Sequence, residues 1–240
     1  EESNDHTRPD VIDSRFQDAL IGQGGPNGDL TWNIFIPTDN SAELVDYVRG
    51  AEISSKVADL TTIDILASSL YEGFNYALGL QLNSENLDIQ YNDLARAEFD
   101  QDGKITKTAD LFFLGGGKNV GESRNKFAAF FEGEKEFFGS LDLRVAARYE
   151  SSDNFSSLDP KISLKYKPTN SFILRASKGT SFAMPSMAQM FSSDINLGSV
   201  RDQDVNIFVR QARIGNPDLK PASAVNSNFG LIFKSDFNRL

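Results

Sequence analysis

The feature that most constrains this chain is a strict alternation of side-chain types between Leu141 and Glu150. Every second position is apolar or small, namely Leu141, Leu143, Val145, Ala147 and Tyr149. The positions between them are mostly charged, namely Asp142, Arg144, Arg148 and Glu150. Because successive side chains of a β-strand point to opposite faces, this period of two predicts a strand with one apolar and one ionic face.

The same period recurs from Val57 onward and predicts an all-β fold with about seven strands. We expect them at residues 57–68, 73–83, 125–135, 140–150, 158–168, 171–181 and 224–235. Residues 1–56 are instead polar and rich in turn residues, apart from a short helix predicted at 41–49 with Ser41 as its N-cap. The sequence therefore divides into a loop region at 1–56 and a sheet region at 57–240.

The predicted connections differ in length, and the long ones fall at one end of the sheet. Tight turns follow the first, third and fifth strands, whereas long segments follow the second and sixth, at 84–124 and 183–223. In an antiparallel meander, successive connections alternate between the two ends of the sheet. Outer-membrane barrels show this segregation, with short periplasmic turns and long outer loops. The sequence therefore predicts an antiparallel up-and-down transmembrane β-barrel, in which residues 1–56 and both long segments are extracellular.

The alternation of side chains is compatible with two different environments for the faces of the predicted strands. In a transmembrane barrel the apolar face contacts outer-membrane lipid and the charged face lines a hydrated lumen. A soluble antiparallel sheet that buries its apolar face has the same alternation. A secreted β-sandwich that acts as a binding or adhesion module is therefore the alternative.

Composition excludes several other classes of function. The formal net charge of −10 argues against nucleic-acid binding, which requires a basic surface. With His6 as the only histidine and no cysteine, a histidine-based triad, a multi-histidine metal site and a thiolate metal site are all excluded. The segment EFDQDGKIT at 98–106 resembles half of a calcium loop, but Ala109 stands where the bidentate Glu belongs, so we predict a hairpin with an Asp-Gly turn. We expect no enzyme activity, cofactor or metal.

Three motifs, in this order along the chain, resemble the barrel of TonB-dependent outer-membrane receptors. They are AARYESSDNFSSLDPK at 146–161, LRASKGTSFAMPS at 174–186 and NPDLKP at 216–221. The chain departs from the family pattern at Ala183, where a basic residue is common, and at Ala222, where an acidic residue is usual. The resemblance covers about residues 57–236.

The resemblance implies an active transporter in the outer membrane of a Gram-negative bacterium. Such a receptor binds a scarce nutrient, commonly a siderophore–iron complex, and imports it with energy from the TonB complex. The family barrel has about 22 strands and encloses a plug domain, which is absent from this chain. The seven predicted strands are therefore expected to be part of a larger barrel. A passive porin, which has no plug, is a further alternative.

Seven charged side chains project to the same side of the predicted strands. They are Glu132, Glu134, Arg144, Arg148, Lys161, Lys165 and Arg175. In the receptor interpretation they line the lumen and hold the plug through charge-assisted hydrogen bonds, whereas on a soluble protein they would form a solvated face. After the sixth strand, Phe182, Met184 and Met187 are candidates for an adaptable apolar ligand surface, although packing of the loop is the favoured interpretation of this segment.

Overall fold

Long amphipathic strands dominate the chain, as the alternation of side chains predicts. The fold is seen in a computed structural model, which describes residues 2–152 and 155–234. The strands are β1 (Glu2–Val11), β2 (Arg49–Tyr71), β3 (Phe74–Tyr91), β4 (Glu98–Phe99), β5 (Ile105–Lys107), β6 (Val120–Phe137), β7 (Leu141–Ser152), β8 (Phe155–Thr169), β9 (Phe172–Ala183), β10 (Asp194–Asp202), β11 (Val205–Arg213) and β12 (Ala222–Phe233). The helices are α1 (Asp13–Leu20), α2 (Ala42–Val48) and α3 (Met187–Phe191), together with a 3₁₀ turn at Pro37–Asp39.

Within the described residues, eight strands form one sheet in the order β1-β2-β3-β6-β7-β8-β9-β12. Neighbouring strands such as β6 and β7, β7 and β8, and β8 and β9 pair in antiparallel fashion. The strands β4 and β5, and β10 and β11, form separate two-stranded hairpins. The predicted antiparallel up-and-down architecture is confirmed.

The expectation that residues 1–56 are mostly loop was wrong. Strand β1 lies in this region and pairs with β2 from Glu2 opposite Ala58 to Val11 opposite Arg49. Within the described residues the largest sheet therefore contains eight strands, and β2 begins at Arg49 rather than at Val57. Strand β1 is almost entirely polar and exposed, so backbone pairing forms it without the apolar alternation that sequence patterns detect.

Several strands also extend beyond the predicted limits, which shortens the connections. Strand β3 continues to Tyr91 and β6 begins at Val120, so the connection expected at 84–124 spans 92–119. The connection expected at 183–223 spans 184–221 and contains α3 and the β10–β11 hairpin. Residues 153 and 154, which lie between the strands predicted at 140–150 and 158–168, and the end of the chain at 235–240 lie outside the described residues.

Local turn chemistry follows the sequence closely. Glu72 and Gly73 form the two-residue turn between β2 and β3 with positive φ angles of 47° and 73°, the geometry of a type I′ turn. The predicted Asp-Gly hairpin is confirmed by β4 and β5, where Asp100 Oδ1 accepts the backbone N–H of Lys104 at 2.8 Å. Ser41 is the N-cap of α2, since its hydroxyl accepts the N–H of Leu44 at 3.2 Å.

The chain forms two compact units. The first consists of Glu1–Asp59, Asn86–Glu122 and Ser186–Asp218, and the second of Leu60–Glu85, Ser123–Pro185 and Leu219–Leu240. The buried hydrophobic clusters found in the described residues both belong to the first unit, one around Leu111 and Ile89 and the other around Leu44. None of the helices in residues 2–152 and 155–234 is long and apolar enough to cross a membrane.

Candidate lumen-lining site

The strand register of the second unit places the predicted charged residues on one face of the sheet. Arg144 lies opposite Glu134 across β6 and β7, and Lys165 lies opposite Asp142 across β7 and β8. Arg175 in turn lies opposite Lys165 across β8 and β9. Because directly opposed residues of antiparallel strands share a face, these side chains all project from the same surface.

This surface forms an open concavity of about 760 Å³ within the second unit. Its lining includes six of the seven predicted lumen residues, namely Glu132, Glu134, Arg144, Lys161, Lys165 and Arg175. The seventh, Arg148, lies on the same face, opposite Phe130 of β6. Sequence reasoning missed Asp142, which also lines the concavity and occupies a charged position of the β7 alternation.

Several of these charges are paired across the strands. Arg144 donates through Nη2 to Glu134 Oε2 at 2.7 Å, and its Nε lies 3.4 Å from Glu132 Oε1. Lys165 Nζ donates to Asp142 Oδ2 at 2.7 Å. The Arg144 side chain is 52% exposed, so the free energy contributed by its pairs is of the order expected for surface ion pairs, about 1 kcal/mol or less.

Lys161 and Arg175 are two exposed cations of this surface. Within the described part of the chain, neither side chain has an ion-pair partner. The concavity therefore carries paired carboxylates near Arg144 and uncompensated positive charge at Lys161 and Arg175. Such a surface can accept carboxylates from another polypeptide segment or from a ligand.

Phe130 interrupts the polar alternation of β6, and the structure shows why. A Cβ atom placed on Gly79 would lie 2.1 Å from the Phe130 ring, so the ring occupies the space that the glycine leaves free. The Arg148 guanidinium lies 5.9 Å from the centre of the same ring. Arg148 also donates to Gln81 Oε1 at 2.7 Å and to Glu150 Oε2 at 3.1 Å, which fixes the guanidinium over the ring.

A second ionic cluster, which sequence reasoning missed, joins Glu85, Arg124 and Lys126. Arg124 Nε donates to Glu85 Oε2 at 3.0 Å, and the Lys126 ammonium pairs with the other oxygen of the same carboxylate. Arg124 Nη1 also donates to the carbonyl oxygen of Pro185 at 2.9 Å. Arg124 and Lys126 continue the alternation of β6, but Arg124 precedes the predicted start of that strand.

The predicted outer-loop residues have different environments. Phe182 lies on β9 opposite Ser223, and Phe182 and Met184 are half-buried. Met187 is buried in the hydrophobic cluster of the first unit, next to the N-cap that Ser186 forms with Gln189. The burial of Met187 agrees with packing of the loop, the interpretation favoured from the sequence.

The opposite face of the sheet is apolar and exposed. On β3 the side chains of Leu78, Leu80 and Leu82 retain 44–51% of their accessible surface, and on β8 Ile162 retains 51%. A soluble monomer rarely leaves a continuous apolar surface of this kind in water. A sheet with one exposed apolar face and one concave ionic face is typical of the wall of a transmembrane β-barrel.

Comparison with known families agrees with this class. The family model for TonB dependent receptor-like β-barrels matches residues 6–240, so the chain belongs to that family. Members of the family are transport receptors of the Gram-negative outer membrane rather than enzymes. No curated protein sequence is significantly similar to this chain.

Solved structures with the same fold include three structures of two bacterial siderophore receptors. The G324V mutant of the ferric enterobactin receptor PfeA from Pseudomonas aeruginosa is 18% identical, with a TM-score of 0.51 over 80% of this chain and 26% of that chain. The Q482A mutant of PfeA in complex with enterobactin is 15% identical, with a TM-score of 0.50 over 98% of this chain and 29% of that chain. The siderophore receptor PirA from Acinetobacter baumannii is 17% identical, with the same TM-score and coverage. The chain thus spans less than a third of each receptor.

Proposed function

We propose that this chain is part of an outer-membrane receptor of a Gram-negative bacterium that imports a scarce nutrient. The nutrient is a small iron chelate of the siderophore class, and import draws energy from the TonB complex. The observation that carries this proposal is the division of the sheet into an exposed apolar face and a concave ionic face. Membership of the family supports the receptor class, and the bound enterobactin in a structural neighbour supports the ligand class.

The apolar face then contacts lipid, and the ionic face lines the lumen. Lipid has no water to hydrate charged groups, so charges are tolerated only on the face turned away from it. The concavity around Arg144 would contact a plug domain of the same receptor. Lys161 and Arg175, which are unpaired in the described residues, would then bind carboxylates of the plug through charge-assisted hydrogen bonds.

The connections that follow β3 and β9 would lie outside the cell, together with the segment between β1 and β2. They contain α1, α2, α3 and the two short hairpins, and are much longer than the turns between β2 and β3 and between β6 and β7. Ligand would bind among these connections and the plug, with Phe182 and Met184 as candidate apolar contacts. No covalent chemistry is required of any residue.

Uptake of radioactive iron as ferric enterobactin by iron-starved cells tests the transport proposal. Deleting the gene that encodes the intact receptor should abolish the uptake due to this receptor, and a plasmid copy should restore it. Disrupting TonB should abolish the same uptake while leaving the amount of receptor in the membrane unchanged. Uptake that persists without TonB would indicate a passive porin and would contradict the active mechanism.

Membrane fractionation tests the placement of the protein independently of its ligand. The intact receptor should sediment with outer membranes and require detergent for extraction, because its apolar face is covered by lipid. Recovery in the soluble fraction without detergent would contradict the barrel proposal and favour a secreted binding module.

A further inference from the structure

The first unit contains a small polar pocket to whose residues the proposed function assigns no individual role. Its volume is about 270 Å³, and it is lined by side chains of β1, the start of β2, the end of β3 and β10, all within this unit. Four charged side chains contribute to the lining, namely Arg8, Glu52, Lys56 and Asp194. The Tyr91 ring and backbone around Gly115 complete the wall.

Two of the four charges neutralise each other. Arg8 lies directly opposite Glu52 across β1 and β2, and its guanidinium binds one carboxylate oxygen of Glu52 through both Nε and Nη2. Glu52 is only 1% exposed, so the buried carboxylate requires this pair. Arg8 and Glu52 therefore form a fixed, neutral part of the wall.

The other two charges, Lys56 and Asp194, are not neutralised. The Lys56 ammonium lies 5.7 Å from the centre of the Tyr91 ring, and an Asp194 oxygen accepts a hydrogen bond from Asn196 Nδ2 at 3.2 Å. In residues 2–152 and 155–234, neither Lys56 nor Asp194 has an ion-pair partner. Burial raises the pKa of the Tyr91 phenol, so this group stays protonated and uncharged. The pocket thus presents, from different strands, one cation and one anion that have no ion-pair partner among the described residues, with Lys56 hydrogen-bonded to Tyr91.

We propose that this pocket binds a small zwitterion of the α-amino-acid type. Lys56 binds the carboxylate of the ligand, Asp194 binds its ammonium group, and Tyr91, Phe113 and Leu197 contact its apolar part. A ligand with both charges satisfies both free groups, whereas an acid or an amine leaves one of them unpaired. The inference concerns binding to the first unit and does not depend on iron uptake.

Fluorine NMR titration of the intact receptor in detergent micelles tests the proposal with three matched probes. They are 4-fluoro-L-phenylalanine, 3-(4-fluorophenyl)propanoate, which lacks the ammonium group, and 4-fluorophenethylamine, which lacks the carboxylate. The amino acid should bind saturably and about fivefold or more tightly than either analogue, the effect of one additional charge pair. Equal affinities for all three probes, or tighter binding of either analogue, would overturn the proposal. This test uses only the unmodified receptor.

Two variants then show which pocket side chain binds which charged group of the ligand. Lys56→Gln should weaken binding of the amino acid and of the propanoate but not of the amine, and Asp194→Asn should show the converse selectivity. Lys104→Gln, which removes an exposed cation at the tip of the β4–β5 hairpin, is the matched control and should not alter any affinity. Heat-dependent gel mobility confirms that each variant is folded. Folded variants with unchanged probe selectivity would refute the assignment of Lys56 and Asp194. A negative result in the iron-uptake experiment would contradict only the transport proposal.

Discussion

At the scale of single residues, the fold depends on which face of a strand each side chain occupies. Leu143 and Ile162 belong to the apolar face, and Ser163 lies opposite Arg144 on the ionic face. Neighbouring residues on one strand, such as Ile162 and Ser163, are therefore expected to tolerate charge very differently. This contrast allows the assignment of the faces to be tested with substitutions one position apart.

Arginine substitutions test the assignment of the faces. Leu143→Arg or Ile162→Arg should destabilise the intact receptor by about 2–4 kcal/mol in lipid, because the charge enters the hydrocarbon region near the bilayer midplane. Ser163→Arg should have a mild effect, since it adds a charge to the hydrated face. Equilibrium unfolding in lipid vesicles measures the difference. Equal tolerance at Ile162 and Ser163 would show that the faces are wrongly assigned.

Gly79 provides a second prediction at this scale, because its missing side chain makes room for Phe130. Gly79→Ala should lower the free energy of unfolding by about 1–3 kcal/mol, since the Phe130 ring must move from beneath Arg148. A double-mutant cycle with Phe130→Leu should recover part of this loss. Gly230→Ala is the control, because the nearest atom to a Cβ there is 4.0 Å away. Strict additivity of the Gly79 and Phe130 effects would contradict the packing explanation.

At the scale of elements, Glu85 on β3 pairs with two cations near the start of β6, and one of them contacts the beginning of the connection that follows β9. The side chains of Glu85, Arg124 and Lys126 are 12–20% exposed, so the cluster is shielded more than the pairs that Arg144 forms in the concavity. Arg124 also holds the carbonyl oxygen of Pro185, one residue before the N-cap of α3. The cluster is therefore expected to restrict the motion of the 184–221 connection where it leaves the sheet.

Limited proteolysis tests this restriction. Glu85→Gln removes the anion that Arg124 and Lys126 share, so trypsin should cleave the 184–221 connection several times faster at Arg201, Arg210 or Arg213. Glu98→Gln, which removes an exposed pair with Lys107, is the matched control and should leave the rate unchanged. Mass spectrometry of the fragments identifies the cleavage sites. Identical rates in the two variants would show that the cluster does not hold the connection.

At the scale of the whole molecule, the described strands form part of the wall of a larger barrel. The sheet ends at β1 and β12, and the edge of a sheet exposes unpaired backbone groups that a membrane interior does not tolerate. The structures of siderophore receptors with this fold are more than three times as long as their matched parts. The environment of each face is consequently a property of the intact receptor, and it must be measured there.

Site-directed spin labelling measures that environment directly. The chain has no cysteine, so a single introduced cysteine can be labelled selectively within it. In the receptor reconstituted in lipid vesicles, labels at Leu80 and Leu164 should collide with dissolved oxygen, which partitions into lipid. Labels at Ala146 and Ser163 should instead collide with a water-soluble nickel chelate, because the lumen is hydrated. Preferential collision of all four labels with the nickel chelate would contradict a transmembrane wall.

The sequence by itself determined most strand positions, the face that each side chain occupies, the helix cap at Ser41 and the Asp-Gly hairpin. These features depend on backbone geometry and on contacts within a few residues, which the order of side chains encodes directly. The tertiary structure alone decided the pairing of β1, the Glu85 cluster and the presence of Lys56 and Asp194 in one pocket. Strand β1 lacks the apolar alternation by which sequence patterns reveal a strand. The Glu85 cluster and the Lys56 pocket depend on the register between segments far apart in the chain. Such contacts exist only once the sheet has formed.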